Sequence, residues 1–145
     1  MDRPSLQRMI EPKAGGDVPP VADNELLARY IFNSNEFRAD GTVKPKLFMP
    51  YSHVELSVNR HRECTEEEIW RFGQQVAATR KLDLRGRSDI HAIQCRTAPL
   101  YVNATPLPGN PNHADIAGYP VAKADQKSLA QKLAASASPK QTPPS

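Results

Sequence analysis

A chain of 145 residues with a formal net charge of +3 and two cysteines has room for one domain and not comfortably for two. No apolar run approaches the roughly 20 residues needed to span a bilayer, and the opening MDRPSLQRMIEPKAGG lacks the apolar segment of a secretory signal. These features argue against a membrane partner and point to a cytoplasmic protein whose Cys64 and Cys95 are free thiols.

Residues 1–22 hold Pro4, Pro12, Pro19, Pro20 and the pair Gly15-Gly16 with no apolar period, and the chain closes on SASPKQTPPS. Such segments cannot offset the entropy of ordering them, so 1–22 and 138–145 are expected as flexible tails around one domain at 23–137. Asp23-Asn24-Glu25 suits the cap of a short helix with Leu26, Leu27, Tyr30 and Ile31 on one side. Asp40-Gly41 signals a turn, and Pro45 and Pro50 bracket a short strand at 46–49.

The stretch HVELSVNR, 53–60, alternates over its whole length. Val54, Leu56 and Val58 take one face, and His53, Glu55, Ser57 and Asn59 take the other. A helix over 65–81 follows, opened by a capping box of Thr65 and Glu68, with Cys64 and Ile69 spaced to pack across its first turn. Ile69, Phe72, Val76 and Ala77 give it an apolar stripe, widened by Trp70. Strands are expected at 89–96, 100–103 and 113–116, and a last helix at 122–137 carries a narrow stripe of Leu129, Ala130, Leu133 and Ala134. This order predicts an α+β fold: a single two-layer domain, its mainly antiparallel sheet packed by two or three helices.

Chemistry is suggested by a pair of matching segments, His53-Val54-Glu55-Leu56 and His113-Ala114-Asp115-Ile116. On a strand, residues two apart share a face about 6.6 Å apart, so each segment presents an imidazole and a carboxylate together. Two such strands side by side could bind a metal or supply an acid–base pair. The polar side of any exposed strand explains the same pattern, and no recognised zinc spacing is present, so no metal or other cofactor is assigned. The loop Asn110-Pro111-Asn112 holds His113 at a defined exit, which suits a site and a tight connection equally. Arg60, Arg62, Arg85 and Arg87 are candidates for binding anions. Cys64, beside Arg60-His61-Arg62 and a helix start, meets the conditions for a reactive thiolate, although packing gives it a sufficient role. The positive excess lies in 121–145, with four basic and one acidic residue, and so gives little support to a nucleic-acid partner.

With ELSV at 55–58, GRSDI at 86–90 and NPNHADI at 110–116, followed by Gly118-Tyr119-Pro120 and a helix, the chain resembles a family of small bacterial proteins without an assigned activity. The resemblance spans about residues 25–135. It implies a bacterial source and a single domain, and carries no functional residue across. The leading expectation is a small binding or accessory protein that acts through a partner protein. Whether it is also an enzyme stays open. The first alternative is a small hydrolase of phosphoester or nucleic-acid substrates using His53, Glu55, His113 and Asp115. The second is weak, non-specific binding of nucleic acid.

Overall fold

The computed structural model describes residues 18–50 and 55–144. Its strands are β1 (Leu26–Ile31), β2 (Leu56–Arg60), β3 (Gly86–His91), β4 (Tyr101–Ala104) and β5 (His113–Ala117). They form one sheet in the order β3-β1-β2-β5-β4, with every neighbouring pair antiparallel. Three helices accompany it, α1 (Glu66–Arg80), α2 (Ala92–Thr97) and α3 (Lys123–Ser136), with short 3-10 turns at Ser34–Glu36 and Pro45–Phe48. The protein is a mixed α+β domain of the expected class. No helix among the described residues is long and apolar enough to cross a membrane.

Alternation along the strands sorts their side chains onto two faces. Leu27, Ile31, Leu56, Val58, Ile90, Val102, Ala114 and Ile116 share one face. There they meet Leu47 and Phe48 of the second 3-10 turn, Cys95 of α2 and Leu133 of α3 in the principal core. On the other face α1 packs over β1 and β3 only. Ile69 sits against Ala28 and Tyr30, and the Arg87 guanidinium lies 4.8 Å from the Trp70 ring centre. The remaining part of that face, on β2, β5 and β4, carries Ser57, Asn59, His113, Asp115 and Asn103. This uneven cover positions the candidate site.

The α1 start is built as the sequence predicts. Thr65 caps the Glu68 amide while the Glu68 carboxylate accepts from the Thr65 N–H, and Cys64 joins the cluster around Ile69. Lys81 ends the helix in the left-handed conformation, φ 56°. Gly73 is the point of closest approach to the sheet, since a Cβ there would stand 2.7 Å from Tyr30 Cε1. The Tyr30 ring is held by its hydroxyl, which donates to the Ile69 carbonyl. Gly73→Ala gains about 1 kcal/mol of helix propensity but overpacks at a cost of about 1–3 kcal/mol. A thermal melt is therefore expected to show a midpoint lowered by a few degrees. A raised midpoint would mean that the Tyr30 ring yields freely.

Four local expectations are corrected. The segment expected as a helix after Glu25 is β1, and it runs through the sheet with both faces buried. A strand covered on both sides shows a continuous apolar run, which looks the same as a buried helix. The expected strand at 46–49 is instead the 3-10 turn, which Pro45 opens with its locked φ. The strand expected at 89–96 starts earlier, at Gly86, and gives way to α2 after His91. Finally, 138–141 lies along the outer edge of β3, exchanging backbone hydrogen bonds between Gln141 and Arg87, and Ser88 Oγ donates to the Ser138 carbonyl. An unpaired strand edge supplies the partners that this segment's own composition does not. Of the expected N-terminal tail, Val21 is buried in the core, and 1–17 lie outside the described residues.

Candidate functional site

A groove of about 500 Å³ opens between α1 and the part of the sheet that α1 leaves uncovered. Its wall is Phe72, Gln75, Val76, Thr79 and Arg80 of α1, spaced one helical turn apart. Its floor is Tyr30, Ser57, Asn59 and His113. Leu107, Pro108 and Asn110 of the loop between β4 and β5 close one side, and Phe32 closes the other, with the Arg80 guanidinium 5.3 Å from its ring centre. The groove thus pairs a wall whose apolar members are Phe72 and Val76 with a polar floor, a mixture usual in a recognition site.

The floor is set by a chain of amides whose orientation can be followed. The Asn112 backbone N–H donates to Asn110 Oδ1 at 3.1 Å, so Asn110 turns its Nδ2 toward Asn59. Asn59 Oδ1 accepts that donor at 2.7 Å, which leaves Asn59 Nδ2 as a buried donor without a partner among the described residues. Asn59 is 3% exposed. A buried unpaired amide costs about 1–3 kcal/mol, and this one lies in the floor of a groove.

Asn112 anchors the same loop. Its Nδ2 donates to the Arg62 carbonyl at 2.6 Å and to Cys64 Sγ at 2.8 Å, and its Oδ1 accepts from Arg62 Nη1 at 2.9 Å. His113 follows it. Its Nδ1 lies 3.0 Å from the Thr105 carbonyl and 2.9 Å from Thr105 Oγ1. A carbonyl oxygen can only accept and a hydroxyl can do either, so the tautomer with the proton on Nδ1 satisfies both contacts and leaves the Nε2 lone pair free. Nε2 stands 4.0 Å from Asp115 Oδ1.

The other sequence candidates fall in several places. His53 lies outside the described residues. Glu55 is exposed just before β2. The β2–β5 register sets His113 opposite Asn59 and Asp115 opposite Ser57. Glu55 is therefore four residues, about 13 Å at strand spacing, from the point His113 faces. An antiparallel pair brings His113 to the end of β2 away from Glu55.

Arg60 is wholly buried in a two-pronged ion pair with Glu25. Arg62 is held by Asn112, with Glu63 at 3.5 Å. Arg85 is exposed and donates to the Phe32 carbonyl. Arg87 is buried between Asp89, Glu66 and Trp70.

Burial pushes the Cys64 thiol up, against the opposing hydrogen bond from Asn112, and this favours a packing role over a reactive thiolate. Burial pushes the Cys95 thiol up to about 12. Among the described residues no group of three or more His, Cys, Asp or Glu side chains gathers to hold a metal.

Asn59, Asn110 and Thr105 were not singled out from the sequence as site residues. Asn59 could have been found as the last member of the polar row on 53–60. Thr105 required the pairing of β4 with β5.

No family model, curated protein or solved structure matches the chain.

Proposed function

We propose that this is a binding protein, bacterial and cytoplasmic, whose groove between α1 and the open sheet face takes a segment of a partner polypeptide. The observation that carries this reading is Asn59 Nδ2, a donor buried without a partner among the described residues, in the floor of a groove that Phe72 and Val76 also line. A backbone carbonyl would satisfy it. An apolar side chain beside that carbonyl would meet Phe72, Val76 and Leu107, the last of which is 50% exposed. Support for catalysis is narrower. It rests on His113 Nε2 with Asp115 nearby, while Arg60 and Arg87 are already engaged in buried ion pairs.

A library of short displayed peptides, selected on the immobilised protein, tests the proposal. Selected peptides should lose at least tenfold in affinity, about 1.4 kcal/mol, when Val76→Arg fills the groove or Asn59→Leu removes the donor. Peptides that bind both variants as they bind the parent would defeat the proposal. Salt separates it from a nucleic-acid reading. A phosphate-gripping protein loses about 10³–10⁵ in affinity between 50 and 200 mM salt. Peptide binding here is expected to change by less than about tenfold over that range, because the cations that line the groove are Arg80 and the buried Arg29.

A further inference from the structure

We propose that His113, Asp115 and Asn103 bind a divalent transition-metal ion of the zinc class, at the edge of the groove floor to which His113 belongs. The first observation is the ring orientation. The Thr105 carbonyl lies 3.0 Å from His113 Nδ1 and accepts from it in the tautomer that leaves Nε2 as the coordinating atom. Metal-binding histidines are characteristically oriented by such a bond from their other ring nitrogen.

The second observation is the spacing. Nε2 and Asp115 Oδ1 stand 4.0 Å apart, beyond hydrogen-bonding distance. Ligand bonds of about 2.0–2.2 Å at the tetrahedral angle place two ligands roughly 3.3–3.6 Å apart, so the pair closes by about half an ångström on an ion bound between them. Both side chains remain accessible, at 17% and 18% exposure.

The third observation is Asn103. It lies directly opposite Asp115 in the β4–β5 register, on the same face, and its Oδ1 is buried with no hydrogen-bond donor among the described residues. Residues paired in this way have Cβ atoms about 4.5–5.5 Å apart. One imidazole lone pair, one carboxylate and one amide oxygen therefore occupy neighbouring positions on one sheet face, where a cation would draw the three together. A mixed nitrogen and oxygen set suits Zn²⁺, Co²⁺ or Ni²⁺, whereas Ca²⁺ and Mg²⁺ favour oxygen alone. With three protein ligands the remaining positions go to solvent.

The experiment is a titration of the full chain with Zn²⁺ and Co²⁺, followed by calorimetry and by the ring ¹⁵N resonances of the histidines. One ion per chain is expected, with the His113 Nε2 resonance moving. Asp115→Asn, which keeps the shape of the side chain on an open face, should weaken binding at least tenfold. Asn103→Ala should weaken it several-fold, and His113→Ala should abolish it. His61→Ala and Cys64→Ser should bind as the parent does. Melting of each metal-free variant separates loss of a ligand from loss of fold. No saturable binding at neutral pH would overturn the proposal. So would binding that survives both His113→Ala and Asp115→Asn, or resonance changes confined to another histidine.

Discussion

Glu25→Ala is expected to destabilise the protein by about 3–5 kcal/mol, although Glu25 lies in the turn before the first strand. Its carboxylate accepts from Arg60 Nε and Nη2, each at 2.7 Å, and Arg60 also donates to the carbonyls of Pro19 and Pro20. The Arg60 side chain is 0% exposed and that of Glu25 is 15% exposed. Without the carboxylate, a buried guanidinium keeps only two neutral carbonyls. The ion pair itself is not the source of the loss, because replacing both partners with apolar residues is commonly neutral or better. The double variant Glu25→Leu, Arg60→Met should therefore regain most of what the single variant loses, as read by urea unfolding. A single-variant loss below about 1 kcal/mol would show that the site relaxes around the unpaired charge.

Burial raises the Glu25 carboxyl, but the Arg60 hydrogen bond, the Ala22 N–H and the charges of Arg60 and Arg62 outweigh it. The group sits below the ordinary glutamate range. A depressed folded-state value adds stability above the unfolded pKa, about 4.3. That stability is lost as pH falls through the folded value. The acid limb of the parent's stability curve should be steeper than that of the double variant.

This pair also marks a limit on what the sequence discloses. Arg60 ends an alternating run and reads as a surface cation, yet it lies on the core face, opposite Leu27. Its burial depends on Glu25 and the Pro19-Pro20 carbonyls, which are distant in sequence, and no local pattern encodes that contact. The α1 helix was legible for the opposite reason: its capping box, staple and stripe all act within 64–81. Likewise β2, β4 and β5, each with one face less covered, show clean alternation, while β1 hides its period by being buried on both sides. The edge strand β3 was misjudged because 138–141 and α1 cover groups that the sequence leaves unpaired.

The candidate site was legible in part. His113 and Asp115 share a face, as period two requires, while the ring of His113 is held by Thr105, just after β4, rather than by the asparagine-proline loop. Their supposed counterpart in His53 and Glu55 depended on the strand pairing. The observed register sets His113 against Asn59. Direction and register of pairing arise from the whole sheet, so single-strand periodicity could nominate the face without naming the partners on it.

The same dependence on distant partners makes Asp89 the second place where a single substitution should be costly. Its carboxylate accepts from His61 Nε2 at 2.9 Å, Arg87 Nε at 3.2 Å and Gln141 Nε2 at 2.8 Å, and its backbone N–H donates to Ser138 Oγ. The residue thus links the turn after β2, the β3 strand and the segment 138–141. Asp89→Ala is expected to cost about 3–5 kcal/mol, because Arg87 has one buried nitrogen already without a partner among the described residues and would keep only Glu66, itself 69% exposed, and the face of the Trp70 ring. Asp89→Asn, which preserves shape and one acceptor, should cost about 1–3 kcal/mol. The loss should also be regional. In Asp89→Ala, hydrogen exchange at the Arg87 and Gln141 amides should speed up more than exchange in α1, since the edge segment loses its side-chain anchor. Burial raises the Asp89 carboxyl, but hydrogen bonds from His61 and Gln141 and the charges of His61 and Arg87 bring it below the ordinary aspartate range. Its contribution is present above the unfolded value of about 3.9 and is lost as pH falls through the folded one. Between about pH 5 and pH 2 the parent should therefore lose stability faster than Asp89→Asn. Parallel acid limbs, or equal exchange rates in β3 and α1, would mean that 138–141 is held by its backbone pairing alone.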